Sequence, residues 1–400
     1  MYEHLSKRCL QDVNRGGKKK SPERRDFCYN TPMGHISAAS GKTARMRNLY
    51  VHFPFCRRKC TYCALHSKAG ASRETRDAYA GETAECIARA AETLGGLDLK
   101  TVYFGGGSPA LCDLRAFKKA LAGYDIEEWT AELHPLDVTE EKLAELEDIG
   151  VNRVSMGVQS LDDATLARMG RGYTADEAEK RFGLVRKHFE NAGIDLIAGY
   201  PRDITRPADF GRLKNWGLRH CSVYSLILEE DSILSRIVRR GQAEDTLPSD
   251  DETMDAIRGI SEVLGSAGLG RYEISNWAVK GFECRHNLAV WHGEDYIGLG
   301  EGAAGRIGLF RTKNWKGGTL AAKKETGGEE IETASKDEDR KERRLFALRT
   351  KDGLDARGFP EWESPLDHFA SKGLLEKDGS VYRLTARGAE VCDSILAEII

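Results

Sequence analysis

The chain has 400 residues, of which 40 % are hydrophobic and 31 % charged, with 60 Lys and Arg against 63 Asp and Glu. A net charge of −3 gives no electrostatic case for nucleic-acid binding, and no run approaches the roughly 18 apolar residues of a transmembrane segment. The same balance excludes a disordered or collagen-like chain, and ten cysteines are too sparse for a disulfide scaffold.

Residues 1–45 stand apart, with ten Lys or Arg against four Asp or Glu, the run Lys18-Lys19-Lys20, and no apolar periodicity. This composition predicts a disordered basic extension. A nucleic-acid or membrane-surface arm is the alternative, and a third reading starts the natural product at Met46, next to the first strand-like segment.

From Asn48 onward, strand-like segments at Leu49–Phe53, Thr101–Phe104, Trp129–Leu133, Arg153–Gly157, Ile194–Ile197 and Ser222–Leu226 alternate with stretches of helical spacing. The helical stretches are Arg76–Leu94, Leu114–Ala122, Glu140–Ile149, Ala175–Ala192 and Ala208–Trp216. Such alternation implies right-handed βαβ units and a parallel sheet, hence an α/β fold. Six units over residues 46–270 fit a partial (β/α)6 barrel better than the full eight. Chemistry in such barrels collects at the C-terminal ends of the strands, and every motif below is expected at such an end.

Beyond residue 270 the pattern changes. Residues 271–339 form an extension whose polar, Gly-, Lys- and Glu-rich stretch from Lys316 predicts a mobile loop passing into a helix. Residues 340–400 resemble a small helical, winged-helix-like module with a β-wing around Asp378-Gly379. No basic recognition helix accompanies it, so packing is expected there rather than DNA reading.

The sharpest signal is Cys56-x-x-x-Cys60-x-x-Cys63, directly after the first strand. Three cysteines in eight positions point to a metal site in a reducing compartment, and so to the cytoplasm. Structural zinc normally takes four ligands, and His52 or His66 could supply the fourth. Three thiolates on one loop instead suit a 4Fe–4S cluster with one iron left open. The amino and carboxylate groups of S-adenosylmethionine (SAM) can chelate that iron. One electron then cleaves the sulfonium and releases a 5′-deoxyadenosyl radical, so the cofactor and no side chain carries the catalytic step. Arg57, Arg58 and Lys59 either offset cluster charge or are simply solvated. After the second strand comes Gly105-Gly106-Gly107-Ser108-Pro109, where bare glycines admit a close backbone approach.

The cysteine loop resembles the radical SAM signature. The segments VHFPFCRRKCTYC, YFGGGSP, AELHP, GVNRVSMGVQSLDD, IDLIAGYP, YEISNWA and ECRHNLAVW together resemble the oxygen-independent coproporphyrinogen III oxidase family, and within it the heme-chaperone branch. The resemblance runs from about Asn48 to the C-terminus. It implies SAM contacts at Tyr50 and Tyr62 beside the cluster, and at Gly106, Gly107 and Ser108 around the methionine end. It implies further contacts to one or two SAM molecules at Glu132, Gln159, Arg171 and Asp195. Carboxylates there accept from ribose hydroxyls or the α-amino group, and an Arg pairs with a carboxylate. The structural alternative for each is an ordinary polar residue at a strand end. The resemblance also implies heme as cargo, a heme-acceptor protein, and a one-electron donor such as flavodoxin or ferredoxin.

Departures from the family pattern are specific. Ser108 replaces a threonine, His134 an asparagine and Tyr200 a leucine. The oxidase carries a fourth cysteine two positions after the third, where this chain has Leu65, as in the chaperone branch. The oxidase's N-terminal substrate-capping segment has no counterpart in residues 1–45. His286-Asn287-x-x-x-Trp291 resembles a heme-associated motif of the chaperone branch, with Val290 in place of tyrosine. An imidazole is a credible axial heme ligand. Alternatively, His286 and Asn287 hydrogen-bond a loop around the Gly-rich segment at 298–305. Cys284 is a second candidate heme contact, and the remaining cysteines that lie inside predicted elements default to buried free thiols.

Overall fold

The computed structural model describes residues 46–203, 207–240, 247–314 and 329–399. The basic extension at 1–45, and the part of the polar stretch up to residue 328, lie outside the described residues.

In chain order the barrel comprises β1 (Met46–Phe53), α1 (Arg73–Thr93), β2 (Leu97–Gly106), α2 (Arg115–Leu121), β3 (Glu128–Leu133), α3 (Glu140–Ile149) and β4 (Arg153–Gln159). It continues through α4 (Asp163–Met169), α5 (Ala175–His188), β5 (Asn191–Ala198), β6 (His220–Ser225), α6 (Ile233–Arg239) and α7 (Asp250–Ser266). There follow β7 (Gly270–Glu273), β8 (Asn276–Ala278), α8 (Arg285–Trp291), β9 (Tyr296–Leu299), β10 (Ala304–Ile307), β11 (Phe310–Asn314) and β12 (Glu329–Thr333). Among the described residues these twelve strands form one open sheet in the order β12-β11-β10-β9-β1-β2-β3-β4-β5-β6-β8-β7.

The six expected parallel strands are present and adjacent in sequence order. A seventh, β9, pairs in parallel with β1, Asn48 facing Tyr296 and Val51 facing Leu299. Antiparallel strands then extend both edges, so the segment after residue 270 builds on the barrel sheet itself. Other differences are local. The helix expected at Ala208–Trp216 is a 3-10 run, Pro207–Asn215. The helix expected to reach Ala192 ends at His188, because Asn191 and Ala192 pair with Arg153 and Val154 as strand. Helices α4 and α7 fall in stretches outside the expected elements.

Period-2 alternation builds the two faces of the barrel wall. Leu49, Val51 and Phe53 point outward to the helical layer, as do Val102, Phe104, Val154 and Met156, all almost wholly buried. The Phe104 ring packs edge-on against Phe117 of α2 at 4.7 Å and against Trp129 at 5.3 Å. Each such side chain contributes about 1.5–3 kcal/mol by leaving water. The helices are anchored at their starts: the Thr174 hydroxyl and the Glu177 carboxylate cap α5 reciprocally, and Asp162 caps α4.

The inward face is polar instead. Asn48, Thr101, Thr130, Arg153, Ser155, His220 and Ser222 are each at most 5 % exposed. At the N-terminal ends of the strands these groups bond one another and α8. The Glu128 carboxylate accepts from the backbone N–H groups of Arg285 (3.0 Å) and His286 (3.1 Å), and from the Cys284 thiol (3.4 Å). Tyr272 OH bonds His220 Nε2 at 2.7 Å and accepts from the Cys284 N–H.

A second core belongs to the C-terminal module, around Leu354, Trp362, Leu366, Tyr382 and Ile395. It consists of α9 (Lys336–Leu345), β13 (Leu354–Asp355), α10 (Pro360–Ser371), β14 (Leu375–Asp378), β15 (Val381–Leu384), α11 (Ala386–Glu390) and α12 (Cys392–Ile399). Strands β14 and β15 form the expected wing, turning through Gly379 at φ 61°. Trp291 of α8 packs against the segment that leads into this module, with Arg349 over its ring at 5.1 Å and Phe346 edge-on at 6.0 Å.

Candidate cofactor site

From Phe53 the chain makes an excursion at the C-terminal end of β1 and returns at Ser72. Its limbs are stitched together: Phe55-Cys56 pair in parallel with Lys68-Ala69, and the Lys68 N–H donates to Pro54 O at 2.5 Å. The middle is held by the Thr61 N–H donating to Met169 O at 3.1 Å, and by the Leu234 N–H donating to Thr61 O at 2.7 Å. Backbone anchors thus hold Cys56, Cys60 and Cys63 half-buried on one loop.

The thiols oppose one another's ionisation. Burial, then the neighbouring Cys63 and Cys60, push Cys56 up to about 12, and burial also raises Cys63. A bound cation would favour the thiolate forms of Cys56 and Cys63. Among the described residues no three His, Cys, Asp or Glu side chains converge on a single-ion position. The two imidazoles that could complete a zinc site are engaged elsewhere. His52 bonds Tyr50 OH through Nδ1 (3.0 Å) and His66 O through Nε2 (2.9 Å), while His66 Nε2 bonds Glu301 at 2.9 Å. A three-thiol donor set of this kind fits a cubane cluster held at separate corners with one iron open.

Beneath the loop lies the glycine run. A Cβ on Gly107 would stand 2.3 Å from Phe55 O, and one on Gly106 would stand 2.5 Å from the His52 ring. Hydrogen bonds from Gly107 N–H to Phe53 O (2.8 Å) and from Ser108 N–H to Phe55 O (2.7 Å) use that closeness. The bare backbone here supports the cysteine loop as well as lining the mouth of the barrel. The Ser108 hydroxyl donates to Asp137 at 2.6 Å, and Arg57 bonds the other oxygen of that carboxylate. Asp137 escapes a reading of the sequence, since its position two residues after Pro135 in a 3-10 turn carries no signal of its own.

Glu132 and Asp195 face the lumen just below. Glu132 accepts from Tyr103 OH (2.8 Å) and from the Gly106 N–H (3.1 Å), and burial followed by the Asp195 charge raises it to about 7. Asp195 accepts from Ser155 at 2.9 Å and is raised by burial. Gln159 ends β4 at φ 75° on a register shift, a strained conformation for a residue with a Cβ. Arg171 donates to the Cys60 thiol (3.2 Å), Gly157 O (2.6 Å) and Tyr173 OH (2.8 Å). It therefore bridges the cysteine loop and the end of β4. The Tyr50 ring stands over Gly105, and Tyr62 packs with Met169, Tyr200 and Leu234.

Two family departures have local roles. The Tyr200 hydroxyl bonds Thr61 Oγ1 at 2.9 Å and Arg168 O at 3.2 Å, adding an anchor to the loop. His134 is lowered to about 3 by burial, Arg171 and Arg57, so it stays neutral and accepts from the Leu136 N–H through Nδ1.

His286 and Asn287 are not part of this assembly. The expectation that every motif falls at the C-terminal strand ends fails for them. α8 precedes β9, and β9 runs parallel to β1, so the helix lies at the opposite end of the barrel. His286 is 2 % exposed, its Nδ1 bonds Thr101 Oγ1 at 2.8 Å, and burial followed by Arg153 lowers it to about 3. The His286 ring is thus hydrogen-bonded to Thr101 and its backbone N–H to Glu128, rather than to the Gly-rich segment. Cys284 is fully buried beside Glu128.

An open parallel barrel with three cysteines on the loop after its first strand, above a glycine run and two carboxylates that face the lumen, defines a radical SAM protein. The family model of the radical SAM superfamily matches residues 50–205. Heme chaperone HemW of Bacillus subtilis is 30 % identical over 382 residues, covering 88 % of this chain and 100 % of that protein. HemW of Lactococcus lactis is 34 % identical over 278 residues, 66 % of this chain and 71 % of that one. The solved structure of coproporphyrinogen III oxidase HemN from Escherichia coli shares the fold, with TM-score 0.75 and 21 % identity over 91 % of this chain and 92 % of that one. The chain belongs to the HemW heme-chaperone family.

Proposed function

We propose that this protein binds heme and passes it to an acceptor protein in the cytoplasm, carrying a 4Fe–4S cluster on Cys56, Cys60 and Cys63 with SAM at the open iron. The observation that supports this best is the match along the full length of a HemW chaperone, together with Ala64-Leu65 where the oxidase pattern has its fourth cysteine. When bound, cluster and SAM supply one-electron chemistry, fed by a donor of the flavodoxin or ferredoxin kind. The chain's own groups bind and orient: Glu132 and Asp195 accept from SAM donors, Arg171 and Gln159 fix the wall beside Cys60, and Gly106 to Ser108 shape the floor. The second reading, decarboxylation of coproporphyrinogen III, rests on the likeness of fold.

Heme titration of anaerobically reconstituted protein tests the proposal. A Soret band without conversion of coproporphyrinogen III in the presence of SAM and a reductant is expected; efficient decarboxylation without heme binding would reverse it. His286→Ala distinguishes the two roles of that imidazole. From its burial and bonds, we expect a lower melting temperature with the Soret band retained, whereas selective loss of the band in a folded variant would make His286 an axial ligand.

A pH dependence follows from Glu132. Below about 7 its carboxyl holds a proton, and above that it ionises into a stronger acceptor. SAM affinity of the cluster-loaded protein, measured by calorimetry, is expected to rise as pH increases through that value. Glu132→Gln should weaken binding about ten-fold, the worth of a hydrogen bond to a charged group, and flatten the profile. An unchanged profile in the variant would remove Glu132 from the SAM site.

A further inference from the structure

We infer that Glu301, contributed by the Gly-rich segment after β9, is the positioning residue that locks the return limb of the cysteine loop and thereby governs how long the cluster survives. This inference rests on the cluster assignment above and adds a residue outside the region matched by the radical SAM family model.

A closed circuit of hydrogen bonds carries it. His66 Nε2 (2.9 Å) and Lys68 Nζ (2.5 Å) both reach Glu301 Oε2, from positions three and five residues after Cys63. The Glu301 N–H donates to Tyr79 OH at 2.9 Å, Tyr79 OH donates to His52 O at 2.8 Å, and His52 Nε2 returns to His66 O at 2.9 Å. The circuit therefore ties together β1, the return limb, α1 and the segment after β9. Lys68 is also the residue whose backbone stitches the two limbs of the loop, at Pro54 O and opposite Phe55.

The backbone around Glu301 is shaped for this contact. Gly300 and Gly302 have φ of +93° and +85°. A Cβ on Gly300 would stand 2.3 Å from Tyr79 OH, and one on Gly302 would stand 2.8 Å from the His66 Cβ. Only glycine on both sides lets the chain press a carboxylate this close to the loop. The Glu301 side chain is 9 % exposed, and although burial opposes its charge, the bonds from His66 and Lys68 hold the carboxyl below its ordinary value. A buried carboxylate engaged by two donors from one limb of a ligand loop matches the outer-sphere groups that keep metal ligands in register.

The test uses reconstituted full-length protein and follows loss of the cluster's visible absorbance in air, with the EPR spectrum of the reduced cluster as a second signal. Glu301→Gln is expected to shorten the cluster lifetime about ten-fold and alter the EPR line shape, with circular dichroism unchanged. Lys68→Met should shorten it similarly, and the double variant should lose little more, because the two residues act as one pair. Wild-type protein that holds no cluster would fail the cluster assignment itself. Wild-type protein that holds one, alongside a folded Glu301→Gln with the same lifetime and spectrum, would overturn this inference alone. Should Glu301→Gln not fold, Lys68→Met decides by the same two signals.

Discussion

Replacing any one of Cys56, Cys60 and Cys63 by serine is expected to abolish cluster assembly. Reconstituted wild-type protein should bind about four irons per chain, as a cubane requires, and each variant should fall to near zero. A serine hydroxyl is isosteric with the thiol but is a hard, weakly acidic donor that does not replace a thiolate on iron. The loop itself should persist, because the backbone bonds of Thr61, Leu234 and Lys68 use no thiol, and a serine at position 60 can still accept from Arg171. Circular dichroism and melting of the variants before reconstitution should therefore match wild type. Iron analysis and visible absorbance decide the matter, and a variant retaining a full complement of iron would remove that cysteine from the ligand set.

Glu128→Ala should produce the largest loss of stability in the barrel. Glu128 is 4 % exposed and receives three donors at the start of α8, from the backbone of Arg285 and His286 and the Cys284 thiol. It is also among the groups whose charge favours that of Arg153, which is 1 % exposed and whose bond to Thr130 is long, at 3.4 Å. Truncation would leave a buried guanidinium poorly compensated and uncap α8. Leaving buried donors without an acceptor in this way costs about 1–3 kcal/mol each, which a urea titration would register as a lower midpoint. Pairing Glu128→Gln with Arg153→Met should recover part of the loss, since it removes both charges at once. A midpoint unchanged in Glu128→Ala would show that Arg153 is compensated from elsewhere.

The outer wall of the barrel is legible in the sequence because it follows one rule. Leu49, Val51 and Phe53 alternate with other residues at period two, as do Trp129, Ala131 and Leu133, and alternation at that length identifies a strand by pattern alone. The cysteine loop is legible because three cysteines in eight positions mark a metal site, and the motifs that follow it point to one family. β9 escapes notice since its four residues, Tyr296 to Leu299, lead into a glycine-rich segment that signals a turn. Its pairing with β1 is a contact between segments about 250 residues apart, which local pattern does not encode. The same gap displaces the His286 motif, whose end of the barrel follows from the direction of β9. Arg153, Glu128 and Asp137 are invisible for a different reason: an isolated charge in a strand or turn resembles a solvated one until its neighbours are placed.

The pairing of β1 with β9 also sets an order of events during synthesis. β1 emerges early, and one of its edges stays uncovered until residue 299 is available, as does the loop until Glu301 can reach it. At ribosomal rates of about 5–20 residues per second, that interval is about 10–50 s. An exposed strand edge is a template for wrong partners over such a time, and three unmetallated thiols beside it are open to oxidation. The cysteine loop therefore gains its last anchor only after residue 301 has emerged, and a chain cut short before that point carries the three thiols on a loop held by fewer bonds.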